Sequence, residues 1–121
     1  MTAPTTPPTT WHPVARADEV GDGELRPVVV GDRAIVLGRS GGVLFALARR
    51  CLHQGGDLAD GIVSRGHVVC PVHGWRFSCA TGALDASPET CLARFDVREH
   101  AGQIEIDPRP RYAHALPGGP P

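Results

Sequence analysis

Four side chains in this 121-residue chain have the chemistry of metal ligands: Cys51, His53, Cys70 and His73. They form two short clips, Cys51-Leu52-His53 and Cys70-Pro71-Val72-His73, with sixteen residues between the clips. Thiolates and neutral imidazoles are common protein donors to transition metals, and each clip offers one of each. Glycines follow both clips, Gly55-Gly56 and Gly74. Backbone without a Cβ can approach a bound group and turn its N–H inward. Two Cys and two His can also close a tetrahedral zinc site. Zinc patterns usually group each ligand type in paired clips, whereas here the types alternate. Ligand types alone leave the zinc reading open.

The elements that must position these clips read as short strands. Trp11 to Ala17 is a first strand, and Asp18 to Glu24 a Gly- and acid-rich turn. Arg26–Val30 and Arg33–Leu37 flank the turn dipeptide Gly31-Asp32 and predict a hairpin. Val43–Leu47 returns after Ser40-Gly41-Gly42, and Arg49-Arg50 leads into the first clip. Leu58 is expected to tuck under the loop that follows. Ile62–Ser64, His67–Val69 and Trp75–Ser78 are further strands, and Ala86 to Glu89 is a polar loop. Leu92–Arg98 and Gln103–Asp107 alternate apolar and charged residues, as half-buried strands do. Short strands with Gly turns predict an all-β antiparallel sandwich or barrel. No repeat and no long helical pattern interrupts it.

Length and composition bound the class. The chain suits one small domain, residues 11–107, with a Thr/Pro-rich disordered tail over 1–10 and a Pro/Gly-rich tail over 108–121. Its net charge of −1 does not suggest nucleic acid. No apolar run is long enough to span a bilayer. The N-terminus has neither a basic start nor an apolar segment, so no secretory or twin-arginine signal is expected and a cytoplasmic site follows. Cysteines there argue against a disulfide framework, so Cys79 and Cys91 are expected to be small buried apolar residues. His12, His67, His100 and His114 lie outside the clips and have no case as ligands; His67 is expected to be exposed. Arg49, Arg50 and Arg76 are expected to be solvated charges, with docking a lesser role for Arg76. Trp75 is expected both to pack and to shield the site from water.

The stretches Cys51-Leu52-His53-Gln54-Gly55-Gly56 and Cys70-Pro71-Val72-His73-Gly74-Trp75-Arg76-Phe77 resemble the two cluster loops of the Rieske iron–sulfur family. Ala80-Thr81-Gly82 resembles the turn after the second loop. The resemblance covers most of residues 11–107 and is strongest over 49–82, the expected cluster-binding subdomain. It implies one [2Fe–2S] cluster per chain, with Cys51 and Cys70 on one iron and His53 and His73 on the other. Reduction then adds an electron to a neutral centre rather than to the doubly negative all-cysteine one, which raises the potential. In high-potential members a Ser and a Tyr donate to the sulfurs, and a disulfide ties the loops. Here Trp75 and Phe77 replace the donors, and Gly56 and Val72 stand where the disulfide cysteines would be. The resemblance therefore implies a low-potential ferredoxin.

A four-ligand cluster leaves no open position for substrate. No mononuclear-iron domain of the kind terminal oxygenases carry is expected. The resemblance thus implies an electron carrier rather than an enzyme. It would take electrons from an NAD(P)H-dependent flavin reductase and pass them to an oxygenase, often one that hydroxylates aromatic rings. In the family the free nitrogens of the ligand histidines lie at the loop tips, so His53 and His73 would also form docking surface. A monomer is expected. The alternatives are a small Rieske-like subunit of a nitrite reductase and a structural zinc module.

Overall fold

The computed structural model describes residues 11–51, 56–72 and 74–112. Among them run eleven strands: β1 (His12–Arg16), β2 (Leu25–Val30), β3 (Arg33–Ser40), β4 (Val43–Ala48), β5 (Ile62–Ser64), β6 (His67–Val69), β7 (Arg76–Ser78), β8 (Ala83–Leu84), β9 (Ser87–Cys91), β10 (Val97–His100) and β11 (Gln103–Ile106). Two single 3-10 turns, Ala17–Glu19 and Leu58–Asp60, complete the described elements. The strands form three antiparallel sheets, ordered β1-β11-β10, β2-β3-β4 and β5-β6-β7-β8-β9. The expected all-β antiparallel fold is what forms. No described helix is long and apolar enough to cross a membrane.

The sheet β2-β3-β4 serves two cores. Successive strand residues point to opposite faces. On β3, Val36 joins Phe45, Leu47, Leu58, Val68, Phe77 and Leu84 in one core. Its neighbours Ile35 and Leu37 join Phe95, Ile104 and Ile106 in the other. That is why the run Ile35-Val36-Leu37 is apolar without alternation: all three side chains are fully buried. The first core also holds Cys51 and Cys70, so the clips grow directly from packed structure.

Two expected elements differ. Leu92 to Asp96 is not regular strand; it touches β4 through the bridge Leu47↔Arg94 and backbone bonds from Ala48 N to Ala93 O and Phe95 N to Ala46 O. Leu92 enters the first core and Phe95 the second, so the segment crosses between cores and cannot keep one face inward. Residues 86–89, expected as loop, fall largely in β9, which pairs with β8 at Leu84↔Ser87 and Ala83↔Cys91. That pairing is made by backbone groups, which a polar sequence does not advertise. Arg65-Gly66 and Ala101-Gly102 are turns as expected, with Arg65 and Ala101 at φ of 51° and 54°. Positive φ at both turn residues matches the twist of the flanking strands.

Asp107 is the buried charged residue among those described, at 2% exposure. Both its carboxylate oxygens accept from the Arg109 guanidinium, at 2.5–3.1 Å, and Oδ1 also accepts from Arg109 N at 3.0 Å. The Arg109 hydrogen bonds hold its pKa below the ordinary carboxylate range against the opposing effect of burial. A depressed carboxylate pKa adds stability above the unfolded-state pKa, and that stability is lost as pH falls through the folded-state value. Asp107→Asn is therefore expected to be less stable at neutral pH by roughly 1–3 kcal/mol. Urea titrations over a pH series check this: the gap between parent and variant closes in acid below the normal carboxylate range.

Candidate metal centre

Each clip sits in a closed loop. The first leaves β4 through Arg49-Arg50 and returns at Asp57, which bridges Arg50. Cys51 N donates to Gly56 O at 2.7 Å and closes the loop at its base. The second leaves β6 and returns into β7: Cys70 N donates to Trp75 O at 2.8 Å and Gly74 N to Cys70 O at 2.9 Å. Gly74 sits at φ +75°, a backbone shape that side chains disfavour and the tight return requires. Cys51 and Cys70 are 3% and 1% exposed, whereas Pro71, Val72 and Gly74 lie outward. The two cysteines are thus inside, and the described residues that follow Cys70 in the second loop are outside.

The loops touch. A Cβ placed on Gly56 would lie 2.6 Å from Val72 Cγ2 and 2.8 Å from Cys70 Sγ. Glycine at 56 therefore lets the first loop lie against the sulfur of the second. Two buried cysteines, neither in a disulfide, are presented by adjoining loops with backbone packed close to one sulfur. That donor chemistry fits a thiolate-held metal group. Among the described residues no three Cys, His, Asp or Glu side chains converge as a metal site. His53 and His73 lie outside the described residues, as do Leu52, Gln54 and Gly55.

The surroundings correct several expectations. Arg49 is not simply a solvated charge. Its Nε and terminal nitrogen donate to the two oxygens of Asp57 at 2.9 and 2.8 Å, across the neck of the first loop. These bonds raise the Arg49 pKa and lower that of Asp57. Sequence reading passed over Asp57; the signal was an opposite charge eight residues on, just beyond the clip. His67 is half-buried rather than exposed. Its Nδ1 lies 3.1 Å from Arg65 O and 3.5 Å from the Arg76 guanidinium, and its Nε2 is 3.8 Å from Asp85. Arg76 also approaches Asp85 at 3.8 Å. Trp75 is half-buried, packs against the first core and tilts over Phe77 with ring centroids 6.3 Å apart. Phe77 is fully buried and has no polar atom to donate.

Cys79 is buried as expected, and desolvation pushes its thiol up to about 11 against the opposing hydrogen bond of Ser40. It stays a neutral, unreactive thiol at ordinary pH. Cys91 departs from expectation: it is only half-buried, because β9 carries it to the wall of an open groove beside Arg50 and Tyr112. Neither is in a disulfide.

Residues 10–96 match the family described as the Rieske [2Fe-2S] domain. This chain belongs to the Rieske [2Fe–2S] family. It is 35% identical over 98 residues to the anthranilate 1,2-dioxygenase ferredoxin subunit of Burkholderia cepacia, covering 80% of this chain and 91% of that one. The fold is similar to the ferredoxin of carbazole 1,9a-dioxygenase from Nocardioides aromaticivorans IC177, with a TM-score of 0.77, 26% identity and coverage of 84% of this chain and 100% of the other. A carbazole 1,9a-dioxygenase structure described as a complex of reduced oxygenase and oxidized ferredoxin gives 0.77 and 26%, over 86% of this chain and 98% of that one. Other relatives are much longer: the chain spans 24% of the carbazole 1,9a-dioxygenase terminal oxygenase component of a Sphingomonas species, at 32% identity over 82% of its own length. The Rieske ferredoxin is an electron carrier with a Rieske-type [2Fe–2S] cluster, and not itself an enzyme. The structural-zinc alternative is set aside with that identification.

Proposed function

We propose that Cys51, His53, Cys70 and His73 hold the cluster and that the chain carries single electrons from a flavin reductase to a terminal oxygenase. When bound, the cluster takes up and releases one electron. The observation that carries this reading is the pair of buried cysteines on adjoining loops, each followed within three residues by a histidine. The protein's own contribution is positional. The core encloses Cys51 and Cys70, and Pro71, Val72 and Gly74 beside the second cysteine are exposed. An oxygenase partner is favoured by the likeness to dioxygenase ferredoxins and to one structure described as an oxygenase–ferredoxin complex. An aromatic ring as the oxygenase's substrate follows from the same likeness. The functional unit is residues 11–107, acting as a monomer in the cytoplasm.

The test is iron and acid-labile sulfide in stoichiometric amounts, with a brown colour that dithionite bleaches. A colourless protein without sulfide would overturn the reading. The midpoint potential is expected near the lower end of the Rieske range of about −150 to +300 mV. Phe77 offers no hydroxyl and Gly56/Val72 no disulfide, so the features that raise the potential in high-potential members are missing. A voltammetric midpoint well above zero would refute the low-potential assignment.

A further inference from the structure

We infer that Arg49 and Asp57 are a positioning pair that locks the first loop in register with the second and so governs how firmly the chain keeps its cluster. The inference rests on the reading above that Cys51 and Cys70 are ligands. Asp57 ties three pieces together. Its carboxylate takes both Arg49 hydrogen bonds, at 2.9 and 2.8 Å, from the end of β4. Its Oδ1 also accepts from Ala59 N at 2.9 Å and starts the 3-10 turn Leu58–Asp60. Backbone bonds complete the neck: Leu58 N donates to Arg49 O at 2.9 Å, and Cys51 N to Gly56 O at 2.7 Å.

The far side of that turn reaches the second clip. Leu58 is fully buried in the same core as Cys51 and Cys70. Gly61 then packs with its Cα against Val69 O, one residue before Cys70, where no side chain fits. The chain from Asp57 is thus fastened to the strand that delivers Cys70. On the near side Gly56, the neighbour of Asp57, lies against Cys70 Sγ. A shift of Asp57 must move both contacts together. A bidentate pair resists rotation as well as separation, which a single hydrogen bond does not. Such a pair, standing behind the ligands, acts on them through the backbone rather than by touching the metal group.

The experiment uses the holoprotein. Arg49→Gln, Arg49→Lys and Asp57→Asn are compared with Glu105→Gln, which removes a charge from another close ion pair, Arg98–Glu105 at 2.7 Å, away from the clips. The readouts are the rate at which visible absorbance is lost to an iron chelator, the EPR spectrum of the reduced form, and apoprotein unfolding. Arg49→Gln and Asp57→Asn are expected to lose the cluster about tenfold faster, with altered EPR line shape. Glu105→Gln is expected to match the parent. Arg49→Lys, which keeps the charge but not the fork, falls between, and remains informative should Asp57→Asn fail to fold. Parent-like loss rates and spectra in folded Arg49→Gln and Arg49→Lys would overturn the inference. So would equal acceleration by Glu105→Gln, since the effect would then be general stability. A parent without iron and sulfide would instead overturn the ligand assignment itself, so the two failures are distinguishable.

Discussion

Cys70→Ser and Cys51→Ser are each expected to yield a folded chain with no bound iron and no visible absorption. Serine nearly conserves the shape of cysteine, so the core that encloses both residues keeps its packing. Burying a hydroxyl there costs about 1–3 kcal/mol. A neutral hydroxyl, however, is a poor substitute for a thiolate as an iron ligand. The internal control is Cys79→Ser. Cys79 lies in the same core but belongs to neither clip, and burial keeps its thiol neutral. That variant is expected to lose comparable stability and keep its full iron content. Iron and sulfide analysis beside thermal unfolding separates the effects. Parent-like iron in Cys70→Ser, or iron loss in Cys79→Ser equal to that in Cys70→Ser, would defeat the assignment. His53→Ser and His73→Ser are expected to lose the cluster likewise.

Gly56→Ala is expected to be nearly as damaging, although it alters no ligand. The added methyl would stand 2.8 Å from Cys70 Sγ and 2.6 Å from Val72 Cγ2, so the two loops must part. Overpacking of this kind costs about 1–3 kcal/mol, and here the displaced atom is a proposed ligand sulfur. Cluster loss should accelerate markedly. Val72→Ala removes one of the two collisions and should rescue Gly56→Ala in part. The same geometry makes positions 56 and 72 a disulfide candidate. A Cβ on Gly56 would lie 3.5 Å from Val72 Cβ, within the usual spacing of bridged cysteines of about 3.5–4.5 Å. The double variant Gly56→Cys/Val72→Cys is expected to cross-link, as mass before and after reduction would show. A Gly56→Ala protein with parent cluster retention would mean that the loops are not in register as described.

Much of this molecule is written locally. The proposed ligand set is read from the spacing of Cys51-Leu52-His53 and Cys70-Pro71-Val72-His73, because each clip places two donor types a few residues apart. The hairpins around Gly31-Asp32, Gly41-Gly42, Arg65-Gly66 and Ala101-Gly102 were equally legible, since turn dipeptides act within four residues. That residue 77 is Phe, with no hydroxyl to donate, is read from one letter.

What the tertiary structure decided is what depends on residues far apart in the chain. Leu92–Asp96 reads as an ordinary strand until Leu92 and Phe95 are found in different cores. The polar β9 is held by backbone pairing that side-chain pattern does not encode. Arg49 looks like a surface charge until Asp57 returns to face it, and the closeness of Gly56 to Cys70 Sγ is set only when the two loops meet. A candidate ligand set can be read from short sequence, because the donors of each clip are near neighbours in the chain. The register between two loops is a property of the fold, because it is set by sterics and hydrogen bonds between segments that meet only after the sheets have packed.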